Sequence, residues 1–128
     1  MKIRVYYEDT DAGGIVYHSN YLNFCERARS EYFFTNGSTP LLDGGEFVVA
    51  SLEAKFKMSA KLGDLLEVTT EVLELKNSSL QLCQEVYKED VILFSMNIKL
   101  AYMKENKIGK MSSDTKDYLL KIFNDSAL

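Results

Sequence analysis

Residues 19–34 read SNYLNFCERARSEYFF and form the longest helical pattern in a chain of 128 residues. Four aromatic or small apolar residues recur here at spacings of 4, 3 and 4, which places them on one face of an α-helix: Tyr21, Cys25, Ala28 and Tyr32. The pair Asn36-Gly37 that follows is typical of a helix end, because both residue types tolerate left-handed backbone. We therefore expect one amphipathic helix whose apolar face is covered by another element.

The sequence on both sides of this helix has the alternation typical of β-strands. Before it, Lys2 to Tyr7 is rich in β-branched and aromatic residues and is predicted to be a strand. After it, six apolar residues alternate without a break and are predicted to share one strand face: Val48, Ala50, Leu52, Ala54, Phe56 and Met58. Two further strands are predicted over residues 66–72 and 80–87, with turns at 76–79 and 88–90.

The last part of the chain adds a long strand and a second helix. The even-numbered residues from Ile92 to Tyr102 are apolar and are predicted to share one face. A short helix to Phe123 follows, with Ser113 as its predicted N-cap. One strand, one long helix and a meander of about four strands predict a single α+β domain over residues 1–128. In this domain a strongly curved antiparallel sheet of about five strands wraps around the helix.

Composition excludes several classes of protein. A single His and two Cys supply no site with paired histidines and no disulfide framework, and this cysteine usage suits the cytoplasm. A net charge of −4 disfavours nucleic-acid binding, which needs a clustered positive surface. We expect no leader and no membrane span, because no apolar run approaches the roughly 20 residues that a spanning helix requires.

The candidate catalytic residues lie between the first strand and the long helix, in residues 5–24, VYYEDTDAGGIVYHSNYLNF. Asp9, Asp11 and the only histidine, His18, fall beside a predicted helix N-terminus, whose unpaired N–H groups suit a developing oxyanion. Acyl transfer by a carboxylate, without Ser or Cys as nucleophile, fits this set. Capping by the two aspartates and a packing role for His18 are the structural alternatives. A calcium loop lacks the required ligand spacing, so we expect no metal.

The same stretch resembles a known family signature. Residues 6–22, YYEDTDAGGIVYHSNYL, followed by FCERARSEYF, are similar to the pattern D-x-D-x-x-G-[IV]-V of hotdog-fold acyl-CoA thioesterases of the YbgC and 4-hydroxybenzoyl-CoA thioesterase type. Residues 56–72 are similar to the family's second strand, Gly-Asp turn and third strand. One difference is Ser59-Ala60, where the family commonly has Pro-Ala. The resemblance implies a hotdog fold and hydrolysis of acyl-CoA to a free acid and coenzyme A.

The resemblance also implies roles for individual residues. Asp11 is expected to be the catalytic carboxylate, as general base or as nucleophile. His18 is expected at the helix start, where a backbone N–H polarises the thioester carbonyl in the family. Tyr7 is expected to line the site, and Asp9 is interpreted as structural.

Partners follow from the same resemblance. The family implies homo-oligomers, with dimers joined edge to edge and dimers of dimers, and an uncovered sheet edge favours the same expectation. No cofactor is expected, because coenzyme A is part of the substrate, and acyl carrier protein is a second possible thioester donor. Two lysine clusters could contact the phosphates of coenzyme A, but neither is favoured over the alternative of a solvent-exposed surface. They are Lys55, Lys57 and Lys61, and Lys99, Lys104, Lys107 and Lys110.

Two other functions stay open at this point. One is another hotdog activity, such as a hydratase or dehydratase. The other is a binding module that holds an acyl-CoA or an acyl carrier protein without turnover.

Overall fold

The protein folds as an antiparallel sheet with helices on one face. The computed structural model describes residues 1–124, with a single 3-10 turn at Tyr7–Asp9. Its elements are β1 (Lys2–Arg4), α1 (Asn20–Thr35), β2 (Glu46–Phe56), β3 (Leu65–Leu75), β4 (Ser79–Lys88), β5 (Val91–Lys104), β6 (Lys107–Ile108) and α2 (Ser113–Phe123). The predicted α+β class and the long helix are confirmed. The predicted meander of four strands is wrong for β2, because the loop of residues 57–64 carries the chain away and β2 pairs with β5, so only β3, β4 and β5 form a meander.

Strand order explains which edge of the sheet is open. The strands lie in the order β1-β3-β4-β5-β2, and the two-residue β6 pairs with the end of β5. Every pairing is antiparallel, and β2, which follows α1 in the chain, lies at one edge beside β5. Within residues 1–124, the five main strands agree with the predicted number of about five, and the turn after Lys104 adds the two-residue β6, which carries no strong apolar alternation.

The core lies between α1, α2 and the inner face of the sheet. The predicted apolar face of α1 is confirmed, since Tyr21, Cys25, Ala28 and Tyr32 are all buried. Cys25 is fully enclosed, and burial raises the pKa of its thiol to about 12, so it packs as a neutral side chain.

One polar side chain, Gln84, lies fully buried in this core on β4. Its amide donates to the Cys25 carbonyl at 2.8 Å and to the Thr70 hydroxyl at 3.0 Å, and its oxygen accepts from Arg29 at 3.3 Å. Because a buried amide without partners is costly, these bonds account for a glutamine in an apolar face.

The predicted single apolar face of β2 is wrong. A β-bulge at Ala50 shifts the register between Val49 and Ser51. Val49 pairs with Leu100 and Leu52 pairs with Ile98, so odd residues before the bulge and even residues after it share the face of the buried β5 residues. The bulge could not be predicted from the sequence, because residues 47–50, FVVA, are apolar on both faces of the strand.

Three smaller predictions also differ from the structure. The first strand ends at Arg4, because the 3-10 turn begins at Tyr7. A second bulge, at Leu93, places Ile92 opposite Tyr87, so Ile92 does not share the face of the other even-numbered residues of β5. Ser112, not Ser113, caps α2, with its hydroxyl accepting from the Thr115 N–H at 3.1 Å.

The inner face of β2 remains largely uncovered within this chain. Leu52 and Phe56 are 41% and 54% exposed although they face the same side as buried residues of β5. Helix α1 packs mainly against β3 and β4, and it contacts β2 near the two ends of the strand, where Tyr21 packs against Phe56 and Phe33 against Phe47. An apolar strip thus runs beside the helix along the open edge of the sheet.

Candidate active site

A cavity of about 270 Å³ lies where the N-terminus of α1 meets the end of β2. Asp11 and His18 both line it, so the structure brings together two of the three predicted site residues. The remaining wall comes from Ile15, Val16, Tyr21 and residues 56–59. Tyr7 is not among the lining residues and is 83% exposed at the start of the 3-10 turn.

A short loop holds the Asp11 carboxylate at the cavity. The Asp11 N–H donates to the Ile15 carbonyl at 2.9 Å, and the Gly14 N–H donates to the Asp11 carbonyl at 3.0 Å. Gly14 has φ of +80°, which glycine adopts at little cost. Asp11 Oδ1 accepts the Gly13 N–H at 2.8 Å, while Oδ2 has no hydrogen-bond partner within residues 1–124. One carboxylate oxygen is thus fixed and the other is free to act on a substrate or a water molecule.

His18 lies just before the first turn of α1. The N–H groups of Asn20 and Leu22 are satisfied by the carbonyls of Tyr17 and Ser19. In the described part of the chain, the backbone N–H of His18 has no acceptor. A free N–H at the positive end of a 16-residue helix is suited to a developing oxyanion.

Aromatic packing orients the His18 ring. Its centroid lies 4.4 Å from that of Tyr17 and 6.3 Å from that of Phe56, the latter in an edge arrangement at 86°. Phe56 in turn packs against Tyr21 and Phe94. The imidazole lines the cavity and packs against two rings, one from the loop before α1 and one from β2.

Residues 57–59 also line the cavity, and the next residue, Ala60, is hydrogen-bonded to Tyr21 of the helix. Tyr21 Oη accepts the Ala60 N–H at 3.0 Å, and the Ala60 carbonyl accepts the Val16 N–H at 2.9 Å. Burial raises the pKa of Tyr21 above its usual value, with the Ala60 N–H acting in the opposite direction, so the phenol stays neutral. Ser59 lines the cavity at the position where the family pattern commonly has Pro.

Charge around the cavity is mixed. Lys57 lines the cavity together with Asp11, and Lys61 forms a β-bridge with Ile15, another of the lining residues. Within residues 1–124, no group of three or more His, Cys, Asp or Glu is arranged to hold a metal ion. The chemical groups at the site are therefore a carboxylate, an imidazole, a free backbone N–H and a lysine.

Sequence reasoning did not foresee the wall formed by Phe56 and residues 57–59. These residues are 45 to 48 positions from Asp11, and long-range contacts bring them to the site: β2 pairs with β5, and Ala60 is hydrogen-bonded to Tyr21 and Val16. The available signal was the Gly-Asp turn at Gly63-Asp64, which resembles the family pattern and follows this segment directly.

The family model of the thioesterase superfamily matches residues 13–95, which include helix α1 and most of the sheet. The chain belongs to the thioesterase superfamily. It is 43% identical over 116 residues to a relative from Helicobacter pylori named acyl-CoA thioesterase YbgC, covering 90% of this chain and 87% of the relative. It is 44% identical over 113 residues to the protein of the same name from Haemophilus influenzae, covering 85% and 81%.

Solved structures of the superfamily share the fold. A probable thioesterase from Bartonella henselae superposes with a TM-score of 0.82 at 30% identity, covering 88% of this chain and 97% of that one. The hotdog fold implied by the resemblance is thereby confirmed. Within residues 1–124, no helix has the length and apolar character needed to cross a membrane.

Proposed function

We propose that the protein hydrolyses acyl-CoA thioesters to a free acid and coenzyme A. The single observation that carries the proposal is the shared cavity of Asp11 and His18 at the start of α1. Membership of the thioesterase superfamily and the names of the relatives from Helicobacter pylori and Haemophilus influenzae support the same substrate class.

The proposed reaction begins with the thioester carbonyl at the start of α1. Its oxygen accepts the free N–H of His18, which makes the carbonyl carbon more electrophilic and stabilises the oxyanion of the tetrahedral intermediate. The imidazole of His18 lies beside the acyl group and limits the access of bulk water. No cofactor enters this scheme, because every bond that changes belongs to the thioester, to water or to Asp11.

Asp11 supports two routes from that point. As general base, it takes a proton from water while the hydroxyl adds to the carbonyl carbon; the C–S bond then breaks and the proton passes to the thiolate. As nucleophile, its free oxygen attacks the carbon directly, coenzyme A leaves as a thiolate, and water hydrolyses the mixed anhydride. Label in the Asp11 carboxylate after a single turnover in ¹⁸O water identifies the second route, because only the anhydride allows water to add to Asp11 Cγ.

Tyr7 is proposed to contribute to the site from outside the cavity. It lies four residues before Asp11 in the same loop, and its ring is 83% exposed within one chain. An exposed aromatic ring next to a catalytic loop suits contact with a bound pantetheine arm or with a second subunit.

The protein is proposed to act as a homo-oligomer built on the β2 edge. Strand β2 has 11 residues with one unpaired side, and its inner apolar face is uncovered beside the cavity. Antiparallel pairing of two β2 edges would continue the sheet and cover that strip with the second copy. Assembly of such dimers into a tetramer is part of the same proposal, as is a cytoplasmic location, where both free cysteines stay reduced.

A panel of thioesters tests the function. Purified protein is incubated with acyl-CoAs from short to long chain, with aromatic acyl-CoAs and with acyl carrier protein thioesters, and the released thiol is measured. Thiol release with an equal amount of free acid supports the proposal. Binding without turnover indicates a carrier module, and conversion of an enoyl or hydroxyacyl group with the thioester intact indicates a hydratase; either result overturns the proposal.

A further inference from the structure

Asn20, the first residue of α1, makes a hydrogen bond that the helix itself does not need. Its side-chain amide donates to the backbone carbonyl of Asp9 at 2.9 Å, across 11 positions of sequence. The Asn20 backbone N–H is already satisfied by the Tyr17 carbonyl at 2.9 Å. The side chain therefore serves a contact between the helix and the loop before it, and not the capping of the helix.

The Asp9 carbonyl accepts two hydrogen bonds, from residues that precede and follow His18 in the sequence. The Tyr17 N–H also donates to this oxygen, at 2.9 Å, so residues 17 and 20 converge on one acceptor. The two donors flank the residue whose N–H is free at the cavity. The position of that N–H relative to the Asp9 peptide is fixed by these two bonds.

Asp9 is itself immobilised. The residue is buried, with 6% of its surface exposed, and Oδ2 accepts the Tyr6 N–H at 2.9 Å. The next residue, Thr10, is also fixed, because its N–H donates to the Tyr7 carbonyl at 3.2 Å. Asp11 follows directly after it. Asp9 is thus a common anchor, with the Asp11 carboxylate on one side and the His18 N–H on the other.

Asn23 fixes the orientation of the Asn20 amide. Its Nδ2 donates to Asn20 Oδ1 at 3.0 Å, which directs the Asn20 nitrogen toward Asp9 and its oxygen away from it. An aspartate at position 20 would place an oxygen against the Asp9 carbonyl and would lose the bond.

We propose that Asn20 is a positioning residue for thioester hydrolysis, which sets the distance between the Asp11 carboxylate and the His18 N–H through the Asp9 carbonyl. The inference rests on the proposed function. A carboxylate and an oxyanion donor that act on one carbonyl group must be placed within a fraction of an ångström, so loss of one tether affects the rate of the chemical step more than binding.

The test compares two replacements of Asn20. Asn20→Leu keeps the approximate shape and removes the donor, and the Asp9 carbonyl keeps its bond from Tyr17. Asn20→Asp removes the donor and adds a negative charge that favours the helix N-terminus. For both variants we expect kcat to fall roughly 10- to 100-fold with KM changed less than about threefold.

Asn36→Leu is the matched control. Asn36 also donates from its side-chain amide to a backbone carbonyl, that of Tyr32, at 2.7 Å, but at the opposite end of the same helix. If the Asn20 bond serves only stability, both leucine variants lower the melting temperature and leave kcat unchanged. We expect Asn36→Leu to behave in this way and Asn20→Leu to lose kcat at temperatures where it is fully folded.

The outcomes separate this inference from the proposed function. Wild-type protein without thioesterase activity contradicts the function itself. Active wild-type protein with unchanged kcat in Asn20→Leu contradicts the positioning role alone. A loss in Asn20→Asp that Asn20→Leu does not share assigns the effect to the added charge and also overturns it.

Discussion

The Gly13 N–H donates to Asp11 Oδ1 at 2.8 Å, and a Cβ atom built on Gly13 lies 3.2 Å from that same oxygen. The glycine therefore both holds the carboxylate and leaves room for it. A contact of 3.2 Å is too close to be kept without a shift of a few tenths of an ångström.

We predict that Gly13→Ala lowers kcat by about 10-fold, because the displaced carboxylate leaves the geometry needed for attack. Gly14→Ala is the control: Gly14 has φ of +80° and open space around it, so alanine there costs about 1 kcal/mol of stability without touching Asp11. Steady-state kinetics and thermal unfolding of both variants check this. Equal losses of kcat in Gly13→Ala and Gly14→Ala would contradict this, because they would show that kcat depends on strain in the loop and not on the position of the carboxylate.

His18→Ala tests the side chain separately from the backbone, since alanine keeps the N–H at the start of α1. We predict a loss of about 10-fold, mainly in kcat, because the imidazole lines the cavity and packs against Phe56. The loss should be smaller than that caused by replacement of Asp11. An unaltered kcat would mean that the ring only packs and that the backbone alone acts on the substrate.

Leu52→Lys tests the proposed dimer edge. Leu52 is 41% exposed on the inner face of β2, and a charge placed there would be buried by a second copy. We predict that the variant sediments as a monomer and loses most of its activity. Leu120→Lys is a matched control, because Leu120 is 42% exposed on α2, away from this edge. A monomeric wild-type protein, or an unchanged assembly in Leu52→Lys, refutes the edge pairing.

Lys57→Glu tests the binding of the substrate phosphates. Lys57 lines the cavity, whereas Lys55 lies between Ala54 and Phe56 and so occupies the opposite face of β2. We predict that Lys57→Glu raises KM for acyl-CoA by roughly 5-fold at low salt, with a smaller effect at high salt, because the interaction is screened. Lys55→Glu should leave KM near the wild-type value. The same rise in both variants would indicate only a change in the overall field of the protein.

The parts of the fold that were predictable from sequence are those with local patterns. The apolar face of α1 follows from spacings within 12 residues, and the antiparallel pairing of β3, β4 and β5 follows from strands joined by short turns. The pairing of β2 with β5 was not predictable, because no local pattern links two strands so far apart in the chain. The bulges at Ala50 and Leu93 were not predictable, because apolar residues there occupy both faces and only the partner strand selects the register.

The candidate site was likewise predictable only where it depends on residues close together in the sequence. Asp11 and His18 are seven residues apart across one loop, so their shared cavity follows from local structure. The role proposed for Asn20 was not predictable from sequence, because asparagine at a helix start is typical of capping and its hydrogen bond to the Asp9 carbonyl is visible only in the structure. Tyr7, which the resemblance places at the site, stays on the surface of the single chain.

The most direct measurement is thiol release from acyl-CoA by Asp11→Asn compared with the wild type and with Glu8→Gln. Asparagine keeps an oxygen for the Gly13 N–H and removes the negative charge, so the loop keeps its structure. Glu8 is an exposed carboxylate of the same loop and controls for loss of charge. We predict that kcat falls roughly 10²- to 10⁴-fold in Asp11→Asn and stays within about twofold in Glu8→Gln. Full activity in a folded Asp11→Asn protein would contradict the assignment of Asp11 as the catalytic carboxylate.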